Sequence, residues 1–229
     1  MILANDLLNA VFIERVNRYL AIVLLDKQQV EAFIPNPGRM KELLISGINV
    51  LLREIKSEKR KTAYDLVVVE YNNINVCIDS MIPNKFLFEI LSQKRLSEFA
   101  KYTNIRKEAK FKNSRFDFFL SGYGNGCFIE AKSCTLVENN IALFPDAPTK
   151  RGSKHMHELV YAIEEGYEAY VIIVIQRNDA KLFKPNVETD PEFAEAIKYA
   201  VSKGVKVIAI STIISSKEIH FYKQIEVII

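Results

Sequence analysis

The chain is poor in the residue types that organise many small proteins. Its three cysteines, Cys77, Cys127 and Cys134, are too few and too widely spaced for a disulfide framework or a CxxC zinc site, so they read as buried thiols in strands. No apolar run approaches the ~20 residues needed to cross a bilayer, and the N-terminus lacks a basic stretch followed by a signal-like apolar segment. A soluble, cytoplasmic protein is the expectation. Internal repeats and low-complexity segments are also missing. An excess of one charge is absent too: the net charge of +3 does not by itself announce a nucleic-acid partner.

What is present is an ordinary globular mix, 49% hydrophobic and 26% charged, in 229 residues, enough for one large domain or two modest ones. Charge is unevenly placed along it. Residues 1–83 carry as many acidic as basic side chains, whereas Lys94, Arg95, Lys101, Arg106, Lys107, Lys110, Lys112 and Arg115 face only Glu98 and Glu108. That basic surplus lies immediately before Asp117.

The N-terminal third has the alternation of short strands: Ala10 to Leu25, Gln29 to Ile34, Ile48 to Ile55, Ala63 to Glu70 and Ile74 to Ile78. Turn chemistry separates them at Pro35-Asn-Pro-Gly38, Ser46-Gly47 and Asn72-Asn73. About five such strands with a basic loop suggest a small oligonucleotide-binding (OB) barrel, or equally a sandwich fragment. The period changes after Ile82-Pro83-Asn84, where Asn84 is expected to cap a helix bearing Phe86, Leu87, Ile90 and Leu91 on one face. A boundary near Pro83 divides the chain into an OB-like domain, 1–83, and a second domain, 84–229.

In that second domain two strands carry Asp117 and Glu130. A helix is expected from about Ser153 to Glu165, ended by Gly166, with Met156, Leu159, Val160 and Ile163 as its buried stripe. The strand Ala169 to Gln176, a helix capped by Asp190 with Pro191 in its first turn, and the strand Val205 to Ile210 follow. Strand, helix, strand with continuous apolar strands implies a sheet covered by helices, so the domain is α/β and the whole chain α+β.

Asp117 and the triplet Glu130-Ala131-Lys132 fall on the two adjacent strands. Residues two apart on a strand share a face, so Glu130 and Lys132 point one way and Ile129 and Ala131 the other. On the preceding strand Phe116, Phe118 and Leu120 take the face opposite Asp117. A hairpin symmetric about Gly124 would pair Asp117 with Ala131 and aim Glu130 away, so a site requires a one-residue offset from a bulge or an even-numbered loop. With that offset Asp117, Glu130 and the Ala131 carbonyl could hold Mg²⁺ or Mn²⁺, hard cations that take oxygen ligands. Lys132 would then position a metal-activated water or offset charge on a phosphate.

The segment Thr149-Lys150-Arg151-Gly152-Ser153-Lys154 opens a helix, where free N–H groups attract anions, and Arg151 and Lys154 could hold a phosphate. His155 and His157 diverge on that helix and do not make a zinc pair. Glu89, on the helix after Pro83, is a possible accessory acid.

Four blocks, Ile34-Pro-Asn-Pro-Gly-Arg-Met40, Ser114-Arg-Phe-Asp117, Ile129-Glu-Ala-Lys-Ser133 and Phe144-Pro-Asp-Ala-Pro-Thr-Lys-Arg-Gly-Ser-Lys-His155, resemble the sugar fermentation stimulation protein A family, in the family's order. Pro37 and Pro148 depart from it, standing where a small hydroxyl and an aliphatic residue are usual. The resemblance implies an OB barrel joined to a domain similar to PD-(D/E)XK nucleases, with a central mixed sheet. It also implies DNA binding and a role in regulating sugar-metabolism genes. The nuclease pattern falls on Asp117, Glu130 and Lys132, with Lys154 or His155 as an accessory group. DNA contacts are then expected at Arg15, Arg18, Arg39, Arg115, Lys150, Arg151 and Lys154, with Tyr19, Phe33 and Tyr64 as stacking platforms. Two functions follow: a metal-dependent phosphodiesterase, or a DNA-binding regulator in which the same residues turn nothing over.

Overall fold

In the computed structural model, which describes residues 1–215 and 217–229, strand alternation in the N-terminal third produces a closed barrel. Its strands are β1 (Leu8–Asn17), β2 (Leu20–Leu25), β3 (Gln28–Phe33), β4 (Asn49–Glu54), β5 (Tyr64–Tyr71) and β6 (Ile74–Cys77). Ala10, Phe12, Ala21 and Val23, two apart on their strands, point inward and meet Val50, Leu52, Leu66 and Val69. β3 pairs antiparallel with β2 and parallel with β5, which closes the ring β1-β2-β3-β5-β4; β6 is added outside on β5. This is the OB-like barrel expected from the strand count. Asn72 and Asn73 both have positive φ, 48° and 61°, the backbone a two-residue hairpin turn needs.

One strand expectation is corrected. Ala10 to Leu25 is a hairpin, not a continuous strand, because Asn17 Oδ1 accepts a hydrogen bond from the Tyr19 amide at 2.9 Å and folds an Asx turn over Arg18-Tyr19.

The remainder comprises α1 (Ile82–Ser92), β7 (Asn104–Phe111), β8 (Ser114–Ser121), β9 (Cys127–Cys134), β10 (Val137–Glu138), β11 (Ile141–Phe144), α2 (Lys150–Glu164), β12 (Glu168–Ile175), β13 (Leu182–Pro185), α3 (Pro191–Ser202), β14 (Lys206–Ser215) and β15 (Glu218–Val227). The sheet runs in the order β10-β11-β13-β15-β14-β12-β9-β8-β7 and is mixed. At its centre β9, β12 and β14 are parallel and buried on both faces, as the continuous apolar runs require. One face packs Phe128, Val171 and Ile173 under α2 and α3 through Met156, Leu159, Phe193 and Ile197. The other packs Ile129, Ile172 and Val174 under α1, and the same cluster includes Val68 and Cys77 of the barrel. The two halves therefore share a core, and the Cys77 amide donates to the Gln176 carbonyl at 3.1 Å across it.

Helix ends follow local chemistry, with one exception. Asp190 caps α3 by accepting from the Phe193 amide at 3.0 Å, as expected. Thr149 caps α2 through the Gly152 amide at 3.0 Å, so the helix begins at Lys150, ahead of the expected Ser153. Asn84 does not cap α1. The helix starts at Ile82 with Pro83 in its first turn, and Asp79 Oδ1 takes the Met81 amide at 2.9 Å, leaving the Asn84 side chain inside the helix and free for another partner. No helix among the described residues is long and apolar enough to cross a membrane.

Candidate active site

The register of β8 on β9 has the required offset. The ladder pairs are Phe118 with Ile129, Phe119 with Phe128 and Leu120 with Cys127, one residue off a hairpin symmetric about Gly124, and Asp117 and Glu130 are the next residues beyond the last pair. The loop Ser121 to Gly126 supplies an even number of residues. Gly126 is needed in it: φ is +99°, and a Cβ there would come within 2.5 Å of the Phe119 ring and 2.8 Å of the Leu120 carbonyl.

At Asp117 the ladder ends and the side chain takes over. Its Oδ2 accepts the Ala131 amide at 2.8 Å, and its Oδ1 accepts Asn84 Nδ2 from α1 at 2.6 Å. The strand turns over here. Phe118 and Leu120 lie in the core beneath α1, whereas Phe116 lies in the core beneath α2, edge-on to His155 at 5.9 Å between ring centroids. The expectation that Phe116, Phe118 and Leu120 share one face is thus corrected, and so is the single ionic face. Asp117 is reached from the α1 layer and Glu130 from the α2 layer.

Glu130 is 4% exposed, and its Oε1 accepts both Lys132 Nζ at 2.6 Å and His155 Nδ1 at 2.5 Å. Arg151 Nε points at His155 Nε2 at 3.5 Å, and His155 Nδ1 faces the Glu130 carboxylate. Burial would raise the Glu130 carboxyl, but the Lys132 charge and the His155 hydrogen bond outweigh it and hold the carboxyl below its ordinary value. Asp117 goes the other way, pushed up to about 6 by burial first and by the Glu130 charge second, against the Ala131 amide, Lys132 and Asn84. Two acids thus crowd one ammonium.

The structure brings Asp117, Glu130, Ala131, Lys132 and His155 together. Glu89 lies elsewhere: it faces the N-terminal ammonium at 3.4 Å and Gln93, because five residues along α1 from Asn84 is well over a quarter turn away from the site. Asn84 went unrecognised as a site residue, although Pro83 at a first-turn position already implied that the helix starts ahead of it. His155 was reached in the sequence through the family resemblance alone, as an accessory group, since its position on the helix showed only that it diverges from His157.

The basic residues divide into free and committed. Arg15 donates to the carbonyls of Arg18, Arg39 and Gly38 at 2.6, 2.7 and 2.8 Å, clamping two loops, so its donors are not available as the free phosphate contact expected. Arg18 and Arg39 are exposed beside it. Tyr19 and Phe33 stack at 5.9 Å outside the barrel core. Arg115 pairs with Glu108 at 2.7 Å and Lys154 with Glu158 at 3.6 Å, surface pairs that a stronger anion can displace. Lys150 and Arg151 are exposed on the first turn of α2. Lys110, Lys112, Arg115, Arg151, Lys154 and His155 line one groove beside the site.

Residues 13–78 match the family model described as the SfsA N-terminal OB domain, and residues 81–218 match the sugar fermentation stimulation protein RE domain. A sugar fermentation stimulation protein homolog of Desulforamulus reducens is 42% identical over 99% of this chain and 94% of its own length. One from Ruminiclostridium cellulolyticum is 41% identical over 97% of this chain and 98% of its own length. The solved structure of Pyrococcus furiosus SfsA in complex with Ca²⁺ covers 100% of both chains at 29% identity with a TM-score of 0.91. With an OB-like barrel, a mixed α/β sheet and relatives matched from end to end, the chain belongs to the sugar fermentation stimulation protein family.

Proposed function

We propose that the chain binds DNA and hydrolyses phosphodiester bonds with Mg²⁺ or Mn²⁺, residues 1–83 contributing to binding and residues 84–229 carrying the reaction. The observation that supports this reading is the pairing of Asp117 and Glu130, two partly or fully buried carboxylates set against one ammonium, where burial first and the Glu130 charge second raise Asp117 to about 6. Among the described residues no group of three or more His, Cys, Asp and Glu side chains surrounds a metal position. The donors on hand are two carboxylates and the Ala131 carbonyl, an all-oxygen set suited to a hard cation that keeps waters. Such a cation, when bound, acidifies a water and polarises the phosphate.

The protein's own groups do the rest. Asn84 and the Ala131 amide fix the Asp117 carboxylate, and His155 holds Glu130 from behind. Lys132 Nζ, 2.6 Å from Glu130 Oε1, is placed to donate to a phosphate oxygen as charge builds on it. Arg115, Lys150, Arg151 and Lys154 supply backbone contacts on one side, Arg18 and Arg39 on the barrel side. Incubating DNA with the protein and Mg²⁺ or Mn²⁺ tests this: cleavage is expected, with a loss of at least ~10²-fold in Asp117→Asn. Cleavage that ignores the substitution or needs no metal overturns it.

One observation favours a second reading, a non-catalytic DNA-binding regulator: Glu130 Oε1 has two partners from the protein itself, Lys132 and His155. Its signature is binding whose log affinity falls with log salt by about 0.9 per phosphate contacted, with no cleavage under any divalent ion.

A further inference from the structure

Between the barrel and the mixed sheet lies a cleft of about 380 Å³, at the small end of the range for ligand sites. Its floor is the end of β9 beyond the candidate site, Lys132 and Ser133, and Thr135 just after it. One wall is the barrel loop Asn36–Gly38 with Arg18 at the rim, and the other is the segment from Phe144 to Thr149.

Both walls are held in place. Arg15 clamps the Gly38 carbonyl at 2.8 Å, and Asn36 Nδ2 donates to the Ile78 carbonyl at 2.9 Å. Opposite, Asn186 Nδ2 donates to the Pro145 carbonyl at 3.1 Å and the Thr149 amide to Asp190 Oδ2 at 2.7 Å. The walls nearly meet at Gly38, where a Cβ would come within 2.4 Å of Asp146 Oδ2.

The chemistry of this cleft differs from that of the groove beside α2. The groove presents five cations and suits a phosphate backbone. The cleft is lined by apolar and polar side chains in similar measure, Pro37, Leu143, Phe144 and Pro145 beside Asn36, Ser133 and Thr135, and the Asp146 carboxylate stands against the Lys132 and Arg18 charges, so it is far less cationic than the groove. Ser133 Oγ accepts Gln176 Nε2 at 3.1 Å, leaving its O–H free to donate to a ligand edge. A flat heterocycle with polar edges fits such a mixed lining better than a polyanion does.

We propose that this cleft receives one unpaired base of single-stranded DNA, next to the phosphate held at Lys132, so that single strands are preferred over intact duplex. The inference rests on the DNA-binding reading of the site. A stacked base pair cannot enter the cleft, and a duplex base must first be unpaired and unstacked, a cost a single strand does not carry. A basic groove that tracks the backbone beside a base site is the arrangement that single-strand binding uses.

The test is fluorescence anisotropy, in EDTA and at one fixed salt concentration, with a labelled oligonucleotide presented single-stranded and as a duplex. The single strand is expected to bind at least ~10-fold tighter. Ala147→Trp, which fills the cleft from its wall, should bring that ratio close to one. An abasic strand with the unaltered protein should lose affinity in the same way, and it decides the matter if the variant melts abnormally. Equal affinity for both DNA forms, or a preference that survives both the variant and the abasic strand, overturns the proposal. Because no metal is present, the outcomes separate: retained single-strand preference without cleavage under any divalent ion defeats only the hydrolase reading, and metal-dependent cleavage indifferent to strandedness defeats only this one.

Discussion

Two of this protein's ionic clusters are built to opposite ends. In the barrel, Asp65 and Asp79, 4% and 2% exposed, meet Arg53 at 2.8 and 2.9 Å, and Asp65 also meets Arg60 at 2.5 Å. Two carboxylates face two guanidiniums, and Asp79 then fastens the start of α1 through the Met81 amide. In the mixed sheet, Asp117 and Glu130 face one ammonium and one imidazole. The first cluster is balanced and structural, while the second is short of positive charge beside a basic groove. A buried acid pair that the fold leaves under-compensated is where a cation or phosphate chemistry is to be sought.

The sharpest way to break this comparison is to unbalance the first cluster. Arg53→Ala should destabilise the protein by about 3–5 kcal/mol in urea unfolding, because it strands Asp79 and half of Asp65 without a partner. An effect below about 1 kcal/mol would remove the distinction between the clusters.

Next in size is the pH dependence of the second cluster. The folded Asp117 carboxyl is raised from 3.8 to about 6, so the folded state binds its proton more tightly than the unfolded state. Below pH 3.8 both states are protonated and nothing is lost. Stability falls as pH rises between 3.8 and 6, and above 6 the full penalty, on the order of 3 kcal/mol, is present. Asp117→Asn should therefore be more stable than the unaltered protein above pH 6, less the value of any weakened hydrogen bond, and the gain should vanish toward pH 4. A gain independent of pH would show that charge is not the cause.

Divalent ions sharpen the contrast without any reference to activity. Mg²⁺ or Mn²⁺ at a hundred times its Kd should add about 2.7 kcal/mol to thermal stability. Asp117→Asn should abolish that increment, and Asp65→Asn should leave it intact. The smallest effect separates the arginines of the barrel rim. Arg15→Ala should cost about 1–3 kcal/mol through its loop carbonyls. Arg18→Ala should cost under ~0.5 kcal/mol while weakening DNA binding.

Much of this was legible in the chain. Alternation at Ala10, Phe12, Ala21 and Val23 wrote the short strands, though not their closure into a barrel, Asn72-Asn73 wrote the last hairpin, and Asp190-Pro191 the start of α3, because each is a pattern within a few residues. The pairing of Glu130 with Lys132 was legible for the same reason. Asn84 was misassigned by a rule that weighs cap residues locally, while the helix start was set upstream by Asp79 and Pro83. Arg15 looked like a phosphate contact because nothing local marks a guanidinium whose partners lie in another loop.

The sequence by itself determined the two-part α+β architecture, the family and the identity of the acids and lysine, since these rest on periodicity and on motifs. Only the tertiary structure decided the register of β8 on β9, that Asp117 and Glu130 are reached from opposite layers by Asn84 and His155, and that Arg15 clamps where Arg18 is free. The physical reason is reach. Register depends on the parity of a loop and on the point where a ladder ends, and a buried side chain takes its partners from whichever elements the core brings against it, at separations that no local pattern encodes.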